Sequence, residues 1–275
     1  MFPLTLVLGS SGRLGRALQR IWIDRPVIWA SRQRKPGLVC LDPLREEGRL
    51  AEAAMGHRAI LSLAGVTECR GDLALNSELA LAAIRAAASA RVSTVLLCSS
   101  AAVYGLGDGM WRETSPTHPI SAYGLAKLRM ERAAIALARA LSVRLCVLRI
   151  GNVAGADAIL GGWVPGFALD QMPDGQTPLR SYIGPNDLAH VLATLLSRQD
   201  TLPEVLNIAQ PEPVRMGALL RAADLTWSPR RPCETIIPKV TLDTSRLNRI
   251  LALPSLENPA QAIVQDWKNH VRPWA

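Results

Sequence analysis

Residues 4–22 read LTLVLGSSGRLGRALQRIW, an apolar run followed by three spaced glycines and a helix-like stretch. Strand, glycine turn and helix in this order are the context in which such a spacing builds a phosphate cradle. Gly9 allows a sharp exit from the strand, Gly12 leaves room for a pyrophosphate, and Gly15 allows close helix–strand packing. Amide N–H groups at the helix start then face the phosphates. The segment predicts a dinucleotide site formed by Gly9, Ser11, Gly12, Arg13, Leu14 and Gly15.

Composition predicts a globular chain of one large or two closely joined domains, with 275 residues, 49% hydrophobic and 20% charged. No apolar stretch reaches the ~18 residues of a membrane span, and a strand starting near Leu4 leaves no room for a signal peptide. We therefore expect a cytoplasmic protein. The histidines lack ligand spacing, so no metal site is predicted. Without any CxxC pair, five scattered cysteines are interpreted as reduced thiols: Cys40, Cys69, Cys98, Cys146 and Cys233.

The net charge of +8 raises the possibility of nucleic-acid binding. Only four of the 31 basic residues are lysine, and the arginines are spread along an Ala/Leu-rich chain. No basic run is interleaved with aromatic residues, as a stacking platform would require. We therefore predict neither a nucleic-acid nor a membrane partner, and an anionic cofactor and substrate account for part of the charge.

Apolar runs alternate with helical patterns along the first 150 residues, which is typical of βαβ units. The predicted fold is α/β, a Rossmann-type doubly wound parallel sheet with a smaller C-terminal substrate lobe. Residues 1–150 form the nucleotide-binding domain and 151–275 mainly the substrate lobe, with segments at about 180–210 returning to the sheet. Predicted strands are 4–8, 27–30, 59–63, 94–98, 144–150 and 205–208; predicted helices are 14–23, 44–55, 73–90, 122–141 and 187–197.

The end of the second predicted strand indicates which dinucleotide binds. An acidic residue there suits the free ribose of NAD, whereas arginine suits a 2′-phosphate. Here the strand runs into Ser31, Arg32, Gln33, Arg34 and Lys35, with no carboxylate. Guanidinium groups grip phosphate in bidentate fashion, and Arg13 can add a further cation. The sequence favours NADP(H) over NAD(H); the alternative is a solvated basic turn.

Three residues carry the predicted chemistry. Ser100 follows a central strand, where its hydroxyl can donate to a substrate oxygen. Tyr123 and Lys127 are four residues apart and share one helix face. A nearby ammonium favours phenolate, which brings the tyrosine pKa towards the pH at which acid–base catalysis is efficient. The set suits reversible hydride transfer between an alcohol and a carbonyl. Each motif alone is commonly structural, a helix face or a turn; their joint occurrence behind the cradle favours catalysis.

In these motifs the chain resembles the extended short-chain dehydrogenase/reductases, also called the NAD-dependent epimerase/dehydratase family. The resemblance covers nearly the whole chain. It includes the glycine turn, the catalytic segments, LRIGNVAG at residues 148–155, RSYIGPNDLA at 180–189 and VLNI at 205–208. The chain departs from the family pattern at Leu8, at Gly184-Pro185-Asn186, and in the short stretch between Asn152 and Arg180.

The resemblance implies specific roles for individual residues. Ser100, Tyr123 and Lys127 correspond to the catalytic trio, with Tyr123 as acid/base, and Tyr123 and Lys127 also contact the cofactor. Asp42 is similar to the adenine contact. Further cofactor contacts implied are Leu63, Ala64, Gly65, Ile150 and Gly151. Substrate contacts implied, beside Ser100, are Asn152, Arg180 and Arg231, the two arginines for a diphosphate.

Three functions remain open from the sequence. The first is an NADP(H)-dependent oxidoreductase acting on a carbonyl or alcohol of a sugar or nucleotide-sugar. The second is a nucleotide-sugar epimerase with retained NAD(P), and the third a non-catalytic dinucleotide-sensing protein. Family dehydratases carry an acidic pair beside the active serine, where this chain has Ala101 and Ala102, so dehydration is disfavoured. The partner is a small-molecule substrate, and the chain is a monomer or a homodimer.

Overall fold

The computed structural model describes residues 2–68, 71–107, 109–232 and 236–270. Cys69 and Cys233, interpreted above as reduced thiols, lie outside these ranges. Cys40, Cys98 and Cys146 are free thiols. No helix in the described part of the chain is long and apolar enough to cross a bilayer.

Strands and helices alternate through the first 150 residues. The described strands are β1 (Thr5–Leu8), β2 (Val27–Ser31), β3 (Val39–Cys40), β4 (Ala59–Ser62), β5 (Thr94–Ser100), β6 (Met110–Trp111), β7 (Arg144–Ile150), β8 (Asn152–Val153), β9 (Ala168–Asp170), β10 (Leu179–Arg180), β11 (Tyr182–Ile183), β12 (Val205–Ile208), β13 (Val214–Arg215), β14 (Ser228–Arg230) and β15 (Lys239–Leu242). The described helices are α1 (Arg13–Ile21), α2 (Glu47–Ala54), α3 (Leu75–Ser89), α4 (Ala122–Ala140), α5 (Pro185–Ser197), α6 (Met216–Ala222), α7 (Ser245–Ile250) and α8 (Pro259–His270).

The central sheet is parallel throughout, in the order β12-β7-β5-β4-β1-β2-β3. Successive side chains of a strand point to opposite faces. Leu6 and Leu8 accordingly enter the core beneath α2, α3 and α4, whereas Val7 enters the core beneath α1 and α5. Strand order reverses between β1 and β4, and this switch point opens a crevice at the carboxyl ends of the strands. The predicted doubly wound sheet is confirmed.

The smaller lobe is built from short strands and two helices. A four-stranded sheet has the order β13-β10-β15-β6, and two further pairs are β11-β8 and β14-β9. Apolar side chains of β9, β11 and β13 form a separate core with α6 and α8, which includes Leu169, Tyr182, Leu219 and Ile263. Strand β12 leaves this lobe and joins the large sheet beside β7.

Element boundaries differ slightly from the sequence predictions. Helix α2 begins at Glu47, three residues after the predicted start, because residues 42–46 form a hydrogen-bonded turn. The Asp42 carboxylate accepts from the Leu44 amide at 3.0 Å, and Glu46 accepts from the Asp42 amide at 2.8 Å. Strand β5 runs two residues further than predicted, to Ser100, so the strand itself delivers this serine to the crevice.

Candidate active site

The glycine turn joins β1 to α1 with little space to spare. Gly9 has a φ of +84°, and a Cβ there would lie 2.6 Å from the Ala64 amide nitrogen. At Gly15 a Cβ would lie 2.6 Å from the backbone of Ser10. Helix α1 has no side-chain cap and no acidic residue in its first turn. Its first amides are therefore left for an anion, and the turn fits a dinucleotide diphosphate.

The end of β2 carries the residues predicted to select the cofactor. Ser31 is buried and its hydroxyl accepts from the Gln33 amide at 3.0 Å. Arg32 and Arg34 are exposed on the turn that follows. Asp42 uses its carboxylate in the turn before α2. The end of β2 therefore presents the hydroxyl of Ser31 and the long cationic side chains of Arg32 and Arg34. Residues 31–35 contain no carboxylate.

Arg13 contacts the smaller lobe. Its Nη1 donates to the carbonyl oxygens of Ala156 at 3.2 Å and Asp157 at 3.1 Å. The side chain of this first residue of α1 thus extends towards the segment after β8. The expectation that Arg13 joins Arg32 and Arg34 around a 2′-phosphate stays a prediction.

The wall of the crevice follows β4 and β7. The Leu63 amide continues the strand pairing to Leu8 at 3.0 Å, and Ala64 lies against Gly9. A Cβ on Gly65 would lie 3.2 Å from the Lys127 Nζ, so the wall passes directly beside this lysine. Across the crevice, Ile150 pairs with Ser100 in register, and the Gly151 amide donates to Ile208 at 2.9 Å.

Ser100, Tyr123 and Lys127 meet at the carboxyl end of β5. The Ser100 hydroxyl caps the following 3₁₀ turn by accepting from the Ala102 amide at 3.2 Å. Helix α4 begins at Ala122, which places Tyr123 in its first turn and Lys127 one turn later. The Lys127 Nζ lies 5.9 Å from the centre of the Tyr123 ring and donates to the Cys98 carbonyl at 3.2 Å.

Burial controls the ionisation of both groups. It raises the pKa of Tyr123, an effect that the neighbouring Ser100 side chain opposes. Burial also lowers the pKa of Lys127 to about 8, against the opposing effects of Cys98 and Glu131. The predicted lowering of the tyrosine pKa is therefore not found, because loss of hydration acts in the opposite direction. Lys127 is the group whose pKa is brought close to neutral pH.

Three further polar residues support the site and were missed from the sequence. Asn76, buried on α3, accepts from the Val66 amide at 3.1 Å and donates to its carbonyl at 3.0 Å. This clamp fixes the chain after Gly65. The Glu68 carboxylate accepts from the Tyr123 amide at 3.2 Å. Glu131 is buried and accepts from the Ser99 hydroxyl at 2.5 Å. Of these three residues, only Glu131 could have been found from the sequence, because it continues the four-residue spacing of Tyr123 and Lys127.

The predicted substrate residues occupy the smaller lobe. Asn152 lies two residues past the strand partner of Ser100, and it pairs in register with Tyr182 of β11. Arg180 lies two residues before Tyr182, and within the described part of the chain it donates to backbone carbonyls, of Leu179 at 2.9 Å and Ile237 at 2.6 Å. Burial lowers the pKa of Arg180 to about 10.

Arg231 is exposed, directly after β14. Its neighbour Arg230 forms a bidentate ion pair with Asp170, with both N–O distances 2.9 Å. Among the described residues, no group of three or more His, Cys, Asp or Glu is placed to hold a metal ion.

The parallel sheet with its glycine turn, and the meeting of Ser100, Tyr123 and Lys127 at the carboxyl end of its strands, define a Rossmann-type α/β protein. The model of the NAD dependent epimerase/dehydratase family matches residues 5–209. The chain belongs to this family.

Curated relatives include two bacterial UDP-glucose 4-epimerases. The one from Azospirillum brasilense is 36% identical over 192 residues, 57% of this chain and 55% of its own. The one from Streptococcus mutans serotype c is 31% identical over 170 residues, 52% of this chain and 51% of its own. The chain thus spans about half the length of these relatives.

Solved structures share the fold over nearly the whole chain. The UDP-glucose 4-epimerase from Brucella ovis in complex with NAD has a TM-score of 0.80 at 18% identity, covering 95% of this chain and 96% of that one. The dTDP-glucose 4,6-dehydratase from Streptomyces venezuelae, with NAD and TYD bound, has a TM-score of 0.74 at 21% identity and covers 98% of each chain.

Proposed function

We propose that this chain is a nucleotide-sugar epimerase that retains a nicotinamide dinucleotide through its catalytic cycle. The observation that carries the proposal is the meeting of Ser100, Tyr123 and Lys127 at the carboxyl end of β5, with the Lys127 Nζ 5.9 Å from the centre of the tyrosine ring. Epimerisation is favoured over net reduction by the curated relatives, which are named UDP-glucose 4-epimerase. Ala101 and Ala102 beside the serine offer no carboxyl group for a dehydration.

The residues of the site have complementary tasks in such a reaction. A dinucleotide held by the glycine turn and by Lys127 would supply reversible hydride transfer at a sugar carbon. The Tyr123 oxygen takes the proton of the sugar hydroxyl as the carbonyl forms and gives it back afterwards. Ser100 donates to the same substrate oxygen as charge develops on it. Lys127 supplies positive charge beside the Tyr123 ring. Its Nζ is also a hydrogen-bond donor next to Gly65, available to the ribose of a bound dinucleotide.

A diphosphate group suits Arg180. Its guanidinium is largely buried, yet the acceptors recorded for it within the described residues are two neutral carbonyls. Charged groups are rarely buried without a partner of opposite charge, because desolvation is costly. The lowered pKa, about 10, reflects this cost. A substrate diphosphate beside Asn152 would compensate the charge, which supports a nucleotide-sugar as substrate. Arg231 is proposed as a second, solvent-side contact.

For the dinucleotide itself, the residues after β2 support NADP(H). Ser31 leaves no carboxylate to meet a 2′-hydroxyl, and Arg32 and Arg34 are exposed beside it. Replacing both arginines with alanine is expected to weaken NADPH binding by about tenfold or more and to leave NADH binding nearly unchanged. Equal dissociation constants for the two dinucleotides in the wild-type protein, measured by fluorescence titration, would contradict this preference.

Retention of the cofactor separates the epimerase from a net reductase. Purified protein is desalted, denatured, and the released dinucleotide identified by mass spectrometry. The desalted protein is then incubated with UDP-glucose, and formation of UDP-galactose is followed by NMR. Turnover without added dinucleotide, and without net change in its redox state, is the expected result. A requirement for stoichiometric NADPH would instead establish the oxidoreductase.

A further inference from the structure

The contact of Arg13 with the smaller lobe links the two halves of the crevice. Arg13 is the first residue of α1, at the helix end that faces the diphosphate of a bound dinucleotide. Its acceptors, the carbonyls of Ala156 and Asp157, lie 143 and 144 residues further along the chain. We call residues 155–157 the strap.

A second set of contacts, made by the Asp157 side chain, holds the strap on the side of the smaller lobe. The Asp157 carboxylate accepts from the Tyr182 hydroxyl at 2.7 Å and from the Leu160 and Gly161 amides at 3.0 and 3.1 Å. Tyr182 is fully buried and its strand β11 pairs with β8, which precedes the strap. The Ala156 amide also donates to the Val153 carbonyl at 3.0 Å. The strap is therefore rigid up to Asp157.

The strap lies directly against the first turn of α1. Leu14 and Ala156 pack on the same hydrophobic core. Arg13 then closes the remaining gap with two hydrogen bonds from one charged nitrogen, which are stronger than bonds between neutral groups. A diphosphate on the amides of α1 would lie next to this contact, because Arg13 is the first residue of the helix.

We infer that Arg13 fastens the strap across the end of α1 and so slows the release of the dinucleotide. The inference rests on the proposed function in that it requires dinucleotide binding. It assigns Arg13 as a positioning residue that acts through the strap, and it gives a physical cause for retention of the cofactor. Because the same strap carries Asp157, which holds Tyr182 and through it Asn152, closure also sets the position of a substrate contact.

Release is measured as the dissociation rate constant of NADPH or NADH in stopped-flow displacement by excess oxidised dinucleotide. Arg13→Met keeps the apolar stem and removes the donors. We expect its dissociation rate to rise about tenfold or more, as the loss of two charge-assisted hydrogen bonds predicts. Arg20→Met, which removes an exposed charge from the last turn of the same helix, is the matched control and should keep the wild-type rate.

A second variant distinguishes the strap from direct attraction of the phosphates by Arg13. Tyr182→Phe loosens the strap from its opposite anchor and leaves the arginine charge in place. Faster release in Tyr182→Phe, with an association rate equal to or above that of the wild type, supports the strap. Faster release in Arg13→Met together with a slower association rate, and no change in Tyr182→Phe, would overturn it in favour of a simple charge contact.

The two proposals fail in different ways. A wild-type protein that binds neither dinucleotide would overturn the proposed function and the strap together. A wild-type protein that binds and turns over, while Arg13→Met and Tyr182→Phe release the dinucleotide at the wild-type rate, would overturn the strap alone. The melting temperature of each variant without dinucleotide, compared with that of Arg20→Met, shows whether the fold is intact.

Discussion

Glu131 and Arg149 form a buried ion pair one helical turn beyond Lys127. The Arg149 Nη2 lies 2.8 Å and its Nε 3.1 Å from the Glu131 Oε2, and the two side chains are 8% and 2% exposed. Arg149 also donates to the Tyr104 hydroxyl at 3.1 Å, and Tyr104 donates to Asn207 at 2.7 Å. The pair therefore ties α4, which carries the tyrosine and lysine of the site, to the neighbouring strands β7 and β12.

Glu131→Gln is expected to lower the free energy of unfolding by roughly 3–5 kcal/mol, because it leaves the Arg149 guanidinium buried without a counter-charge. Urea denaturation measures the loss. Helix α4 offers a matched control in Arg139, whose pairing with Glu204 is exposed, at 70% and 41%. Glu204→Gln should cost only about 0–1 kcal/mol. Similar losses in the two variants would show that burial does not govern the strength of the Glu131 pair.

Tyr123→Phe tests the assignment of the acid/base. Loss of the hydroxyl should reduce kcat about 10²–10⁴-fold, the usual contribution of a positioned proton donor and acceptor. Binding of the dinucleotide should change little, since the ring and Lys127 remain. Steady-state kinetics and fluorescence titration measure the two effects. A variant that turns over at the parent rate would remove Tyr123 from the mechanism, and a wild-type protein without turnover would favour the dinucleotide-sensing alternative.

Lys127 gives the protein a specific dependence of stability on pH. Its pKa is lowered to about 8 in the folded protein from 10.5, chiefly by burial. Between these values the unfolded chain holds the proton and the folded chain does not, so stability rises with pH in this window. Below about pH 8 Lys127 is charged in both the folded and the unfolded protein. Its buried charge then lowers stability by an amount that no longer changes with pH.

The contribution of Lys127 should therefore be measurable as a pH-dependent difference in the free energy of unfolding between the wild type and Lys127→Met. From about pH 7 to about pH 10, wild-type stability should rise relative to Lys127→Met by roughly 1–3 kcal/mol. Urea denaturation at the two pH values measures the difference. The control is Lys35→Met, an exposed lysine on the turn after β2. A constant difference between wild type and Lys127→Met across this range would mean that Lys127 keeps its ordinary pKa when folded.

The sequence predicted those parts of the molecule that depend on local pattern. Strand β7 has the predicted bounds, Arg144–Ile150, because its apolar residues 145–148 are buried on both sheet faces. The four-residue spacing of Tyr123 and Lys127 was enough to place them on one helix face. Their pKa values were not predictable, since burial depends on neighbours such as Gly65 that are distant in the chain.

Side-chain partners far apart in sequence account for the remaining differences. Arginine is a residue type that commonly contacts phosphate. Only the path of the chain after β8 shows that the Arg13 side chain donates to two backbone carbonyls. Gly184 departs from the family pattern, and the sequence offers no reason for it. In the structure Asp266, on α8, occupies the space that a Cβ would fill. The two positions are 82 residues apart, too far for a local pattern to connect them.

Gly184 and Asp266 lead to a double-variant prediction. The Asp266 Oδ2 accepts from the Asn186 amide at 3.1 Å and the Asp187 amide at 3.4 Å, and so caps α5. A Cβ on Gly184 would lie 1.9 Å from this oxygen and displace it. Gly184→Ala and Asp266→Ala should each cost about 1–2 kcal/mol, the usual value of a lost cap.

Because both single variants remove the same cap, the double variant should cost clearly less than their sum, by about 0.5 kcal/mol or more. Urea denaturation of the four proteins completes the cycle. Gly48→Ala on α2 is the control, since no atom lies within 4 Å of a Cβ there. It should stabilise the protein by about 0.5–1 kcal/mol through helix propensity alone. Additive costs for Gly184→Ala and Asp266→Ala would show that the glycine accommodates something other than the carboxylate.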